Sequence, residues 1–569
     1  MSADELTELL TVLWTLGAAL AGLAALALTV RLKLPQVLQL PAAFRALRED
    51  DPGAAGTVHP ATSVALSAAS SYGAAAAVGA ATAIALGGPG AIAWVWIFSF
   101  FLAPLRMGEA VLARTAPAGQ AGGSTGSLAG RLLGDSTPAL RILGWALFAL
   151  VPLAAFAFYG GTHGGAVMDA AEQLLPGSAM VLGAAVAGVG GALALLPTKR
   201  FASLLGWIAA VALIALLGAA LVTLFSDLGR GFGGLGRALD DVIYDMPSVG
   251  AFSGALAGEI AIAAMLHLLP PLAAGGGVEG SWHAEAQAKT TKAQASAALL
   301  GALTYGLLTT VLGLALVATN AFARPVEGSR SVGEIRLYDA AFETVSQRDE
   351  ESRRFNGIIR VIDGATGVVT IYAGTERGMI RAPHFEENGE PANVMFRVRE
   401  GRIIEIQRPG TLGALEVAEP EAMQTVHVQG EMLPMGGQLL AAGVTRGGGS
   451  VTSRVALAAL LLLAALGIAG WGFGVRRTLS SRLPDAQARF TAALPALGLG
   501  LAVSGTLESF SLVGSAIAAL LTIVTSLALI AKSAEIAGLL GLRKTAPAAS
   551  APAEAEPEGG PKKKRKKRK

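Results

Sequence analysis

Apolar runs long enough to cross a bilayer as a helix, about 20 residues, recur eleven times along this chain. They fall at approximately 7–30, 61–86, 91–113, 139–159, 178–197, 203–226, 250–290, 296–319, 452–474, 489–507 and 511–538. Inside a bilayer every backbone polar group must find its partner within the protein, so a chain of this pattern has little choice but a bundle of membrane helices. Only 15% of the 569 residues are charged, against roughly a quarter in a soluble protein. The first run follows Asp4, Glu5 and Glu8 rather than basic residues, and no clear cleavage site comes after it, so it reads as a retained helix.

Basic residues alternate with the runs. Arg31, Lys33, Arg45 and Arg48 follow the first, Arg106, Arg114 and Arg131 the third, Lys199 and Arg200 the fifth, Lys289 and Lys292 the seventh, and Arg476, Arg477 and Arg482 the ninth. Residues 160–177 contain no Lys or Arg. By the positive-inside rule the N-terminus is expected outside and the C-terminus in the cytoplasm of a plasma (inner) membrane.

Two runs are interrupted. In the second, Ser70-Ser71-Tyr72-Gly73 followed by four alanines and Gly79 makes a helix that can open at its centre. In the seventh, Pro270-Pro271 and Gly275-Gly276-Gly277 within eight residues oppose a continuous helix. The breaks lie five runs apart. Secondary transporters built as 5+5 inverted repeats place a broken first helix in each repeat, with the site at the midplane between them; glycine-rich helices can also simply pack tightly. The expected fold is thus an all-α polytopic membrane protein of about eleven spans, with one extra N-terminal helix before the repeats. Ser70, Ser71, Tyr72, Gly73, Gly79, Gly275, Gly276 and Gly277 are the candidate substrate or ion site. Glu259 and His267, ionisable residues within the seventh run, are candidates for carrying a proton. The plainer reading of Glu259 is a hydrated residue at the outer mouth, and that of Arg106 and Glu109 an interfacial pair at the end of the third run.

The remaining segments are polar. Residues 1–60 hold the extra helix and the connector PQVLQLPAAFRALR (Pro35 to Arg48), 61–319 and 451–541 the transporter core, and 320–450 an outer insertion. Within the insertion, short strand-like runs at 357–363, 367–372, 393–398 and 402–407, with turn signals at Asp363-Gly364 and Glu400-Gly401, predict a small β-rich external domain. Residues 542–569 form an Ala/Pro/Glu linker with no means to build a core, then Lys562 to Lys569, eight basic residues suited to anionic lipid headgroups. The net charge of +3 therefore becomes −5 without that tip. Nucleic acid is not an expected partner. The chain has no cysteine, and its six histidines show no metal-ligand spacing. No nucleophile cluster stands out either, so neither an enzyme, a metal site nor a cofactor is expected.

ATAIALGGPGAIAWVW (Ala81 to Trp96), followed by Glu109-Ala-Val-Leu-Ala, resembles the alanine/glycine:cation symporters, also called sodium:alanine symporters, which read very nearly ATAIALGGPGAIFWMW there. Ala286-Gln-Ala-Lys-Thr290 is similar to the family's AAAKT, and Gly470-Trp471 is shared. The resemblance spans all the apolar runs and is absent from the insertion and tail. It implies a leucine-transporter-like fold and a small amino acid carried with sodium or a proton. Where the family reads GTGNIAG, this chain has Gly73-Ala74-Ala75-Ala76-Ala77-Val78-Gly79, so the Thr and Asn are alanines. SNEAG becomes Ala273-Ala274-Gly275-Gly276-Gly277, and a Ser-Thr pair becomes Leu466-Gly467. Each lost side-chain oxygen removes about 1.5–3 kcal/mol of charged hydrogen bonding, which argues against sodium coupling and turns attention to the proton. Two functions follow from the resemblance and its departures. One is a secondary transporter of a small amino acid with altered or proton coupling. The other is a non-transporting scaffold or sensor that reuses the fold and binds a protein partner through its external domain and basic tail.

Overall fold

The computed structural model describes residues 3–117 except 55, 126–226 except 197, 229, 233, 236, 265–273, 277–339 except 334, 354–409 except 367–368 and 374–378, 415–417, and 425–542 except 505–509. Glu259, Gly275, Gly276 and the Lys562–Lys569 tip lie outside the described residues.

The chain begins with α1 (Ala3–Arg31), then α2 (Pro35–Leu38) and α3 (Leu40–Ala46), each with a proline at its start where the missing N–H costs nothing. α4 (Pro60–Gly87) and α5 (Ala91–Arg114) flank the GGPG turn. After α6 (Leu128–Leu133) comes α7 (Pro138–Leu153). Pro152 removes a backbone donor near its end, and the helix widens into a π segment over Ala154–Tyr159 before resuming as α8 (Gly160–Leu174). The expected span of 139–159 is therefore short by fifteen residues: the glycine-rich 160–174, read as loop, are helical. α9 (Ala179–Leu195) and α10 (Thr198–Phe225) follow.

The second interrupted run leaves α11 (Pro270–Ala273) and α12 (Val278–Ala284) on either side of its glycines, and α13 (Thr291–Ala318) closes the first part of the bundle. After the strands come α14 (Gly436–Leu479), bent at Gly449, then α15 (Asp485–Phe490), α16 (Leu494–Val503) and α17 (Phe510–Leu539). α14 starts fifteen residues earlier than the 451 boundary expected, because the glycines at 447–449 are a kink in a helix and not the end of a loop.

Among the described residues nine helices are long and apolar enough to cross a membrane, and α9 is a shorter apolar helix. Their outward faces carry exposed Leu23, Leu26, Trp207, Val211 and Ile214, as lipid contact requires. Their inner faces are alanine and glycine, which lets backbones approach closely: a Cβ on Gly472 would run into the carbonyl of Ala492, and one on Gly190 would meet Ile468 at 2.7 Å.

Strands β1 (Val326–Ser331), β2 (Ile335–Asp339), β3 (Gly357–Val361), β4 (Val369–Ala373), β5 (Met379–Glu387), β6 (Glu390–Pro391), β7 (Val394–Arg399), β8 (Arg402–Pro409), β9 (Leu415–Val417) and β10 (Val426–Met432) form two antiparallel sheets, ordered β1-β10-β5-β4-β2, with β6 on β5, and β3-β7-β8-β9. Residues from both, including Ile371, Phe385, Phe396 and Val428, share one apolar core. Glu400-Gly401 makes the expected hairpin between β7 and β8, both residues at positive φ. Asp363-Gly364 also turns at positive φ, but it passes the chain from one sheet to the other: β3 pairs with β7, not β4.

Candidate functional site

The first break is at Gly73. Its φ of 48° and ψ of −166° interrupt α4 in a region closed to residues with a Cβ. The imidazole of His163, one turn into α8, is pressed against that point, so that a Cβ on Gly73 would fall on its Nε2. His163 in turn stacks on Tyr159 of the π segment, ring centroids 3.8 Å apart and planes at 15°. The Tyr159 hydroxyl donates to the carbonyl of Ala464 at 2.9 Å and fills the space a side chain on Gly467 would need. The hole left by small residues at 73 and 467 is therefore closed from a third helix by two aromatic rings. Nothing in the run GGTHGG announced this, because the packing partners are remote in sequence.

The candidate hydroxyls around Gly73 point in different directions. Ser70 donates to the carbonyl of Leu66 at 2.7 Å and packs on Gly470 of α14. Tyr72 is buried with its ring tilted against Tyr305, centroids 5.8 Å apart. Ser71 donates both to Ser67, at 3.1 Å, and to Glu279 of α12.

Glu279 is the residue that sequence reasoning passed over. It is two positions after Gly277, which caps α12 at φ 85°, in the left-handed region that glycine favours. Its carboxylate pairs with the guanidinium of Arg106 on α5, and Arg106 also reaches Glu109 at 3.4 Å. A second donor of Arg106 goes to the carbonyl of Leu272, at the end of α11. One guanidinium thus holds both sides of the Gly275–Gly277 interruption, before it at Leu272 and after it at Glu279. The expectation of an interfacial Arg106–Glu109 pair is corrected here: Arg106, Glu109 and Glu279 are only 5%, 2% and 3% exposed, buried within the helix bundle. The signal available in the sequence was an ionisable residue inside an interrupted run, a rule that singled out Glu259 and His267 and applies equally to Glu279.

Gly79 and His267 meet across the two interrupted segments: a Cβ on Gly79 would lie 2.7 Å from the His267 carbonyl. Both line a cavity of about 400 Å³ between α4, α8, α17 and residues 266–270, with Thr82 and Asp169 at one end. Thr82 and Asp169 also border a second cavity, about 450 Å³, whose other walls are β1 and the start of α14. Thr82 and Asp169 are thus shared by the linings of both cavities.

Chemically, the arrangement offers a small, mostly apolar chamber with a few polar groups beside two helix interruptions and, elsewhere in the bundle, a closed ionic cluster tied to both. Among the described residues no group of His, Asp or Glu has metal-ligand geometry. No curated protein matches the chain. Residues 3–352, well over half of its length and including both interruptions, match the model of the sodium:alanine symporter family.

Proposed function

The chain belongs to the sodium:alanine symporter family, and on that premise we propose that it is a secondary transporter of a small amino acid whose coupling ion is a proton in place of sodium. The observation that carries this reading is the buried Ser71–Glu279–Arg106–Glu109 cluster. It counts two carboxylates against one guanidinium, so one further positive charge balances it. A buried uncompensated charge costs several kcal/mol, and an ionisable group inside a membrane span is by default a functional one. Where the family's polar side chains are replaced by alanine and glycine, a proton needs only one oxygen, whereas sodium needs several. Binding a proton on Glu279 would loosen its hold on Arg106 and Ser71 together, and so free one interrupted helix from the other.

In this reading α4 and the interrupted segment ending in α12 are the first helices of two inverted repeats, with α1 outside them. The substrate chamber is the cavity lined by Gly79 and His267; Ser70, Ser71, Tyr72, Gly73 and Gly277 are not among its lining residues, and Ser71 serves the reading through Glu279. His267 and Glu259 remain further candidates for the proton's path. The loop charges support an outer location for the β sheets and a cytoplasmic one for the Lys562–Lys569 tip, where anionic headgroups attract it.

The test is uptake by the full chain in proteoliposomes. A pH gradient is expected to drive alanine or glycine accumulation without sodium, and Glu279→Gln to abolish the response to pH. Accumulation driven by sodium and indifferent to pH would refute the coupling assigned here.

A further inference from the structure

The sheets border a cavity beside the bundle. β1 lies against the start of α14, and its Ser329 and Arg330 line the 450 Å³ cavity together with Asp169 of α8 and Thr82 of α4. Asp169 is held in place: Gly437 donates its N–H to Oδ2 at 3.2 Å, at the beginning of the 44-residue helix α14. The fit is close, since a Cβ on Gly436 would come within 2.7 Å of Oδ2 and one on Gly437 within 2.6 Å of the Asp169 Cβ. A carboxylate at a helix N-terminus is favoured by the helix dipole, and Asp169 belongs to the linings of both cavities. Glu172, the other acid on this wall, is turned to the α8–α9 connection, where Oε1 accepts from Gly177 N–H at 2.9 Å. Arg330 is near enough to Asp169 to attract it electrostatically, and among the described residues the two form no ion pair.

We propose that this cavity is a capture site for a zwitterionic small amino acid, with Asp169 taking the ammonium and Arg330 the carboxylate. An acidic and a basic side chain in one cavity, together with the amide of Gln438 and the hydroxyl of Ser329, match a molecule bearing both charges. A simple amine or a simple carboxylate satisfies only half of the site and leaves the other charge unpaired. The volume holds one such molecule with water. The proposal deepens the transport reading and rests on it for its direction, since Thr82 and Asp169 also line the cavity of Gly79 and His267.

The chain contains no cysteine, so Ser329→Cys introduces a unique thiol on the cavity wall. Its rate of modification by a small thiol reagent, in the purified full-length protein, reports occupancy of this cavity and not of the inner chamber. L-alanine is expected to slow the modification several-fold, and ethylamine, propionate and sodium at equal concentration to leave it unchanged. Asp169→Asn and Arg330→Gln in the same background should each raise the half-protecting alanine concentration about tenfold or more, each measured against that variant's own alanine-free rate. No protection by alanine, equal protection by ethylamine, or protection indifferent to both substitutions would each overturn the site. Uptake, measured separately, keeps the two readings apart: protection without uptake removes the transport function alone, and uptake without protection removes the capture site alone.

Discussion

The hydroxyl of Ser71 donates to the carboxylate of Glu279, so two interrupted helices whose residues stand 208 positions apart are joined by a buried hydrogen bond. Ser71→Ala removes that link and leaves the Glu279–Arg106 pair in place. A hydrogen bond to a charged group is worth about 1.5–3 kcal/mol, so the variant should unfold at a measurably lower temperature in detergent. Uptake should survive with an altered pH profile. A melting temperature equal to that of the native chain would show that the bond contributes nothing.

Arg106 carries the heavier load, because it faces two carboxylates and a carbonyl at once. Arg106→Met strands two buried acids beside each other, and breaking a buried ion pair from one side costs about 3–5 kcal/mol. The variant should be recovered as aggregate in size-exclusion chromatography. Adding Glu279→Gln removes half of the stranded charge and should restore part of the monodisperse peak. If the double variant is no better than the single one, the loss is due to packing and not charge.

Gly73→Ala meets two obstacles. Its φ of 48° is unfavourable for any residue with a Cβ, at a cost of about 1–3 kcal/mol, and the methyl group collides with His163. His163→Ala in the same chain clears the collision but not the dihedral. Thermal unfolding should therefore show a large loss for the single variant and partial recovery for the pair. Full recovery would mean that the backbone at 73 is free to become helical.

Outside the spans, Asp135 bonds to Lys532 of α17 and accepts from the Thr137 N–H at 2.9 Å. Burial alone would raise its carboxyl, but those two donors and the ammonium charge prevail and hold it at about 2. With the unfolded value near 3.9, its stabilisation is complete above about pH 4, declines as pH falls and is gone below about pH 2. Melting temperature should therefore drop across that window in the native chain and change less in Asp135→Asn. Parallel curves for the two would exclude this link.

Much of the scaffold was legible in the chain itself. Bilayer-length apolar runs define where helices lie because the backbone has no other way to satisfy its polar groups in lipid. Gly73 and Gly277, at the two interruptions, are where the backbone does leave the helix. β7 and β8 and their hairpin were readable because alternation and a Glu-Gly turn are local. The errors are also local in origin. GGTHGG and the glycines at 447–449 carry weak helix propensity, yet the first is helical and the second is only a bend at Gly449 within α14, where close packing on neighbouring helices holds the chain.

What the sequence determined by itself was the solvent, the family and the places where helices can open. What only the tertiary structure decided was which side chains fill those openings. His163 and Tyr159 close the space beside Gly73 and Gly467, and Glu279 reaches Ser71 and Arg106. Propensity and hydropathy are properties of neighbouring residues along the chain, whereas a buried charge is balanced by whatever the fold carries to it, in this case from α4 and α5, more than 160 residues earlier.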